Sequence, residues 1–277
     1  MSDRERLVAP LPRGRRWSRV ARSAGWGLAL VLAAAAAAPA AEGQGRQLTR
    51  LVDSPTAGLV DKGRFAVDLR LFPNGGVLGQ LEAGVLRRLA IGISYGGAGI
   101  IGDDSVDWYP RVEAAVRYRV FEESQRRPAL LVGFETQGYG AYQAGRYQIK
   151  SKGAYLALSR NYTSSLGQLG FHGGVNLSRE DDDDGGPSGW LGIDKTINEE
   201  LSLAGEYDFA LNDNDDDALG SGRGYLNLGA FWSAVPNLSI GLVFKNVLQN
   251  GDADRGTVGG PDADMSRELS VRYTETF

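Results

Sequence analysis

From Gly63 to the C-terminus, apolar and polar residues alternate with period two, the pattern of strands that carry one apolar face. Phe65, Val67, Leu69 and Leu71 alternate with Arg64, Ala66, Asp68 and Arg70, and Val112, Ala114, Val116, Tyr118 and Val120 with Arg111, Glu113, Arg117 and Arg119. The same alternation runs through Leu201–Phe209 and Leu238–Phe244, and helical periodicity is absent after the first forty or so residues. The spacing predicts twelve strands, at 63–73, 77–86, 89–95, 108–120, 129–137, 147–160, 167–178, 188–195, 201–211, 222–232, 238–248 and 266–276.

The connections between these strands alternate in length. Those at 74–76, 96–107, 138–146, 179–187, 212–221 and 249–265 are mostly long and rich in Gly and Asp, whereas 87–88, 121–128, 161–166, 196–200 and 233–237 are shorter. Two ends that face different surroundings are the signature of an outer-membrane barrel, with long outer loops and short periplasmic turns. The fold expected is therefore all-β: a closed antiparallel transmembrane β-barrel of about 12 strands, both termini periplasmic. Two aromatic girdles are expected. The outer one would hold Phe72, Tyr95, Trp108, Tyr109, Tyr139, Tyr142, Tyr147, Trp190, Phe209 and Tyr225, and the inner one Tyr118, Phe121, Tyr162, Phe231, Trp232, Tyr273 and Phe277. The last strand, with Tyr273 and Phe277 on one face, resembles the signal read by the bacterial barrel-assembly machinery.

Composition sharpens this picture. The 277 residues include 39 glycines, no cysteine and a single histidine, which excludes disulfides, thiol chemistry and a polyhistidine metal site within one chain. Seven arginines before Gly25, the apolar run Trp26–Ala38 and the small residues of Ala38-Pro39-Ala40 form a secretory signal peptide over 1–40. Its removal takes away seven arginines and two acidic residues, moving the net charge from −4 to −9. An exported acidic chain is a poor partner for nucleic acid. The expected organisation is a signal peptide at 1–40, an N-terminal segment at 41–62 that serves as a periplasmic tail or a short plug, and the barrel at 63–277.

The stretch from Arg64 to Gly102, then Val106-Asp107-Trp108-Tyr109-Pro110, and then Leu131-Val132-Gly133-Phe134 onward to Tyr147-Gln148-Ile149-Lys150-Ser151-Lys152 resembles the YjbH-like outer-membrane barrels. The likeness covers roughly the first half of the exported chain. It implies an outer-membrane barrel associated with exopolysaccharide production, and it carries no catalytic residues with it.

The expected lumen collects charges of both signs and allows two readings. In one, the basic stripe Arg111, Arg117, Arg119, Lys150 and Lys152 lines a narrow pore for anions or acidic oligosaccharides. In the other, paired charges brace a closed wall. His172, between Phe171 and Gly173, should face the lumen and not the lipid, which argues against a lipid-modifying enzyme with a serine and histidine on its outer face. Asp213, Asp215 and Asp217 match the first spacings of a calcium loop, but Ala218 stands where its glycine belongs, so the acidic loops read as solvated. The sequence therefore points to a non-enzymatic envelope protein of the cell outer membrane, with a structural or export role and without cofactor or metal. Its expected partners are outer-membrane lipid and lipopolysaccharide, the barrel-assembly machinery and a polysaccharide.

Overall fold

The computed structural model describes residues 48–103, 105–143, 145–165, 167–180, 185–214, 218–250 and 265–277. Among them the chain forms β1 (Arg64–Phe72), β2 (Gly76–Leu86), β3 (Leu89–Ala98), β4 (Asp107–Trp108), β5 (Glu113–Phe121), β6 (Ala129–Glu135), β7 (Tyr139–Gln143) and β8 (Arg146–Ile149). There follow β9 (Gly153–Ser164), β10 (Gly167–Leu177), β11 (Ser188–Thr196), β12 (Leu201–Asp208), β13 (Tyr225–Val235), β14 (Leu238–Lys245) and β15 (Ser266–Thr276). β1, β2, β3, β5, β6 and β9 to β15 pair antiparallel with their neighbours, and β1 pairs with β15 from Arg64↔Thr276 to Leu71↔Leu269. This closes a twelve-stranded barrel. Closure satisfies every backbone ladder within the wall and leaves no edge, the condition for strands to cross a bilayer.

Strand ends shift by a few residues in several places, and three departures from the sequence reading matter for the interior. The strand expected at 108–120 splits into β4 and β5 around Pro110, whose missing N–H cannot join a ladder. The strand expected at 147–160 divides at Lys150–Lys152, and β8 pairs with β7 instead of the wall. β13 begins only at Tyr225, because Gly222 and Gly224 adopt φ of 79° and 68°, a left-handed turn incompatible with strand pairing.

The outward faces are apolar around the whole barrel. Leu69, Ile91, Ile93, Val116, Leu228 and Leu242 are all more than 40% exposed. Such a belt would drive a water-soluble protein to aggregate, whereas in a bilayer it faces matching solvent. The chain is a transmembrane barrel of the outer-membrane kind. The start of β1 and the end of β15 lie at one end, where Phe277 N–H donates to the Gly63 carbonyl at 3.0 Å. The opposite end, which carries the β7–β8 hairpin, is called here the loop end.

The girdles are sparser than expected. Tyr95 stacks on Trp108 at 5.8 Å and Tyr207 meets Phe209 edge-on at 5.3 Å near the loop end. Tyr118, Phe121, Trp232 and Tyr273 are exposed toward the terminal end. Phe72, Tyr109, Tyr139, Tyr147, Trp190 and Tyr225 are instead buried inside the barrel. Phe72, Trp190 and Tyr225 share the lumenal parity of Arg70, Asp194 and Asn227 on their strands, and Tyr139 and Tyr147 belong to an inward-folded hairpin. The interior is thus a packed core rather than a wet channel.

Glycine makes that packing possible at one wall position in particular. A methyl group on Gly174 would fall inside the indole of Trp190 and against the Leu156 carbonyl. Gly174→Ala is therefore expected to cost about 1–3 kcal/mol through overpacking. A lowered urea midpoint of the refolded barrel is the readout, and an unchanged midpoint would refute the packing described.

Candidate functional site

Of the segment 41–62, expected as a periplasmic tail or a plug, residues 48–62 are described, and 48–60 run inside the barrel. A polar turn flanked by Leu51-Val52 and Leu59-Val60 gives the segment both a hydrogen-bonding tip and apolar shoulders. Leu51 N–H donates to the Ser54 carbonyl and Thr56 N–H to the Thr49 carbonyl, both at 3.0 Å, so the chain enters, turns at Asp53 and doubles back. Its apolar side packs on a lumenal wall that alternates small and large residues: Ala57 and Leu59 cluster with Ala90, Ala129, Leu131, Tyr155, Ala157 and Trp190. Small side chains at lumenal positions leave the room that the plug fills.

The tip is held by charge. Asp53 pairs with Arg70 of β1 and with Lys245 of β14, the latter at 2.7 Å. Backbone N–H groups of Val52, Asp53 and Ser54 converge on the carboxylate of Glu206 at 2.8–3.1 Å, and Asn227 donates to the same carboxylate at 2.8 Å. Arg50 forms a two-pronged bond to Glu135 at 2.7 and 3.1 Å. Wall groups also grip the plug backbone. Arg117 Nη2 donates to the carbonyls of Thr49 (2.7 Å) and Thr56 (2.9 Å), Arg119 Nε to that of Ala57 (3.1 Å), and Trp190 Nε1 to that of Pro55 (3.1 Å). Buried charges stabilise only when fully partnered, and these partners come from both the plug and the wall.

A second obstruction descends from the loop end. The β7–β8 hairpin folds inward, burying Tyr139 and Tyr147 against Phe72, Leu78 and Tyr109. Tyr147 O–H bonds Glu113 at 3.2 Å, and Arg146 pairs with Asp213 at 2.7 Å. Glu180 accepts from the backbone N–H groups of Tyr147 and Ser151 at 2.8 and 2.9 Å. Burial raises the pKa of Glu180 despite those bonds. The two obstructions meet at Tyr139, whose ring centre lies 4.6 Å from Arg70 and 4.7 Å from Lys245 and whose hydroxyl accepts from Arg50 at 3.1 Å. Below the plug, toward the terminal end, a cavity of about 170 Å³ remains, lined by Asp68, Gln80, Ser202, Ser270 and Arg272 among others.

The expected basic stripe does not line a pore. Arg117 and Arg119 do face the lumen, but they bind the plug backbone. Lys150 and Lys152 lie on the link between β8 and β9, where Lys150 donates to the Asn212 carbonyl at 2.7 Å and Lys152 pairs with Asp208. Arg111 precedes β5 at the loop end, half-exposed, and pairs with Glu113 at 2.9 Å. The five fall on one stripe only if 147–160 is a single wall strand, and the break at Lys150–Lys152 removes that condition. Asp213 departs from its reading as a solvated loop residue: it is buried, bonded to Arg146 and to Tyr225 O–H. The other acidic runs, 181–184, 215–217 and 252–264, lie outside the described residues. Among the described residues no cluster of metal-ligating side chains occurs. Tyr273 and Phe277 stand exposed, with the Phe277 ring 6.4 Å from Phe65.

His172 is lumenal, as its parity predicts, but it has partners that sequence reasoning missed. Ser159 Oγ lies 2.7 Å from its Nδ1 and Asp194 Oδ1 lies 2.6 Å from its Nε2. The signal was available in principle: Ser159 alternates with Leu158 and Asp194 with Ile193, which places both inside.

Asp53 gives the plug a pH dependence. Burial by itself lifts a carboxylate's pKa, but Lys245 and Arg70 outweigh it and hold Asp53 below its ordinary value of 3.8. A lowered pKa means that the docked state binds fewer protons, so the contribution of Asp53 is complete above 3.8 and fades as pH falls through the docked value below it. Conductance is expected to appear only in that acid window. Asp53→Asn should abolish this step, and a pH-independent closed state would contradict it.

No protein-family model and no curated protein matches the sequence. Among solved structures, the chain is similar to the NanC porin at 9% identity, covering 77% of this chain and 99% of that one with a TM-score of 0.42. It is similar to the KdgM porin at 11% identity, covering 76% and 98% with a TM-score of 0.45. It is also similar to OmpT, an outer-membrane protein of Vibrio cholerae, at 9% identity, covering 77% and 98% with a TM-score of 0.30.

Proposed function

We propose that this chain is an outer-membrane barrel that rests closed on its own N-terminal segment and serves a structural or export role at the cell envelope. The observation that carries the reading is the convergence of Arg70, Lys245 and Glu206 on the Val52–Ser54 turn, which fills the lumen with the chain itself. The YjbH-like pattern over Arg64–Lys152 supports linking that role to exopolysaccharide production. The exposed Tyr273 and Phe277 support delivery by the barrel-assembly machinery, and the outer belt supports contact with membrane lipid and lipopolysaccharide.

A second reading, a narrow pathway for anions or acidic oligosaccharides, is supported by the lumenal arginines that the plug now occupies. It requires the plug to leave. Planar-bilayer recording of the full exported chain at neutral pH tests the closed state. Insertion without steady conductance is expected, and a steady open current from the unaltered protein would overturn it.

A further inference from the structure

We propose that the lumen carries a latent acyl-hydrolase site, Ser159–His172–Asp194, which the plug covers and which acts on a small hydrophilic carboxylic ester. The barrel register builds the constellation. Ser159 of β9 stands opposite His172 of β10, and Asp194 of β11 stands opposite Gly170, one lumenal step along from His172. A side chain on Gly170 would collide with both Asp194 Oδ1 and His172 Nε2, so the absence of one leaves the imidazole–carboxylate bond its space.

The hydrogen-bond directions fit a primed nucleophile. Ser159 Oγ accepts the Ala57 N–H at 2.8 Å, which leaves its own proton for His172 Nδ1, while Asp194 holds the ring proton on Nε2. A nucleophile bonded to a base that a third group orients is the arrangement needed for acyl transfer. All three side chains are buried while the plug is docked, so the substrate and the water that completes the reaction reach them only when it leaves.

The plug also shows where an acyl carbonyl would sit. On either side of the Ala57 N–H held by Ser159, the carbonyls of Thr56 and Ala57 are held by Arg117 (2.9 Å) and Arg119 (3.1 Å). With the plug withdrawn, an ester carbonyl can take those donors, and the guanidinium charge then meets the oxyanion that develops on attack. The Ser159 Oγ–carbon bond forms as the ester carbon–alkoxide bond breaks, and the serine proton passes through His172 to the leaving alkoxide. Water then attacks the acyl carbon and gives a proton to the same histidine; the acyl carbon–Ser159 Oγ bond breaks, His172 returns that proton to Oγ, and the carboxylic acid leaves. The lumenal position excludes acyl chains held in the bilayer, so the lipid-facing enzyme considered from the sequence is a different proposal.

The test uses the full chain carrying Arg50→Ala and Asp53→Ala to dislodge the plug, with barrel folding verified by heat-modifiable electrophoretic mobility and plug release by conductance. A fluorophosphonate probe should label Ser159 at least tenfold more in this variant than in the unaltered protein. The label should disappear on adding Ser159→Ala or His172→Gln. A folded, conducting variant that takes no label at Ser159 overturns the proposal, as does a label that survives His172→Gln. Closure and chemistry fail separately, because conductance reads the first and labelling the second. Should the double variant fail to fold, the unaltered chain is labelled in urea at a concentration at which the barrel stays folded and conductance shows the plug released. The same His172-dependent labelling supports the proposal there, and its absence overturns it.

Discussion

Asp53→Ala is expected to convert a closed barrel into a conducting one. The substitution leaves the two buried cations Arg70 and Lys245 with the single charge of Glu268, and breaking a buried ion pair costs about 3–5 kcal/mol. The wall has a way to avoid that cost. Arg70 and Lys245 also face Glu268, at 3.5 and 3.4 Å, so once the plug leaves and water enters, both cations keep a counter-charge and regain hydration. The penalty therefore falls on the docked plug and not on the barrel. At about 1.4 kcal/mol per tenfold change, the open-to-closed ratio should rise by roughly two to three and a half powers of ten. Bilayer recordings should show frequent or steady openings at neutral pH while the urea midpoint of the wall hardly moves. A folded Asp53→Ala barrel that stays silent would show that the hairpin, rather than the plug, closes the lumen.

The wall was legible in the sequence because its physics is local. Each strand alternates because lipid selects every second residue, so the strand count, the closure and the inward direction of His172, Glu206 and Lys245 all follow from parity. The lumen's contents were less legible because they depend on which segments share an interior after closure. Period two places Arg117 inside, but it cannot show that Thr49 and Thr56, more than sixty positions earlier in the chain, supply its acceptors. Nor does alternation separate a wall strand from an inward hairpin, which is why Lys150 and Lys152 were grouped with Arg111. The missed signal lay in residue size. Ala66, Ala90, Ala129 and Ala157 are fully or almost fully buried at lumenal positions, where an open channel would carry polar side chains exposed to water. Small apolar residues facing inward imply something to pack against, and the polar turn at Asp53, with apolar residues on both sides, fits them.

Glu206→Ala is expected to open the barrel by a second route and to reveal whether the plug docks as one unit. Three backbone N–H groups, from Val52, Asp53 and Ser54, end on this carboxylate. A buried donor that loses its acceptor costs about 1–3 kcal/mol, so the docked turn should lose at least as much as it does in Asp53→Ala. Asn227, which also donates to Glu206, can turn to water once the lumen is wet. Because Asp53 and Glu206 hold the same four-residue turn, their effects should not add, as is usual for residues in one bonded network. The combined variant should reach little more open time than the more severe single one, with the wall's urea midpoint still close to that of the unaltered barrel. If the plug were tethered at independent points, each single variant would leave the turn docked and only the pair would conduct. If Glu206 mainly braced β12 against β13, the single variant would lower the urea midpoint and remain closed. Conductance and denaturation measured on the same four proteins therefore separate a cooperative plug from a set of local struts.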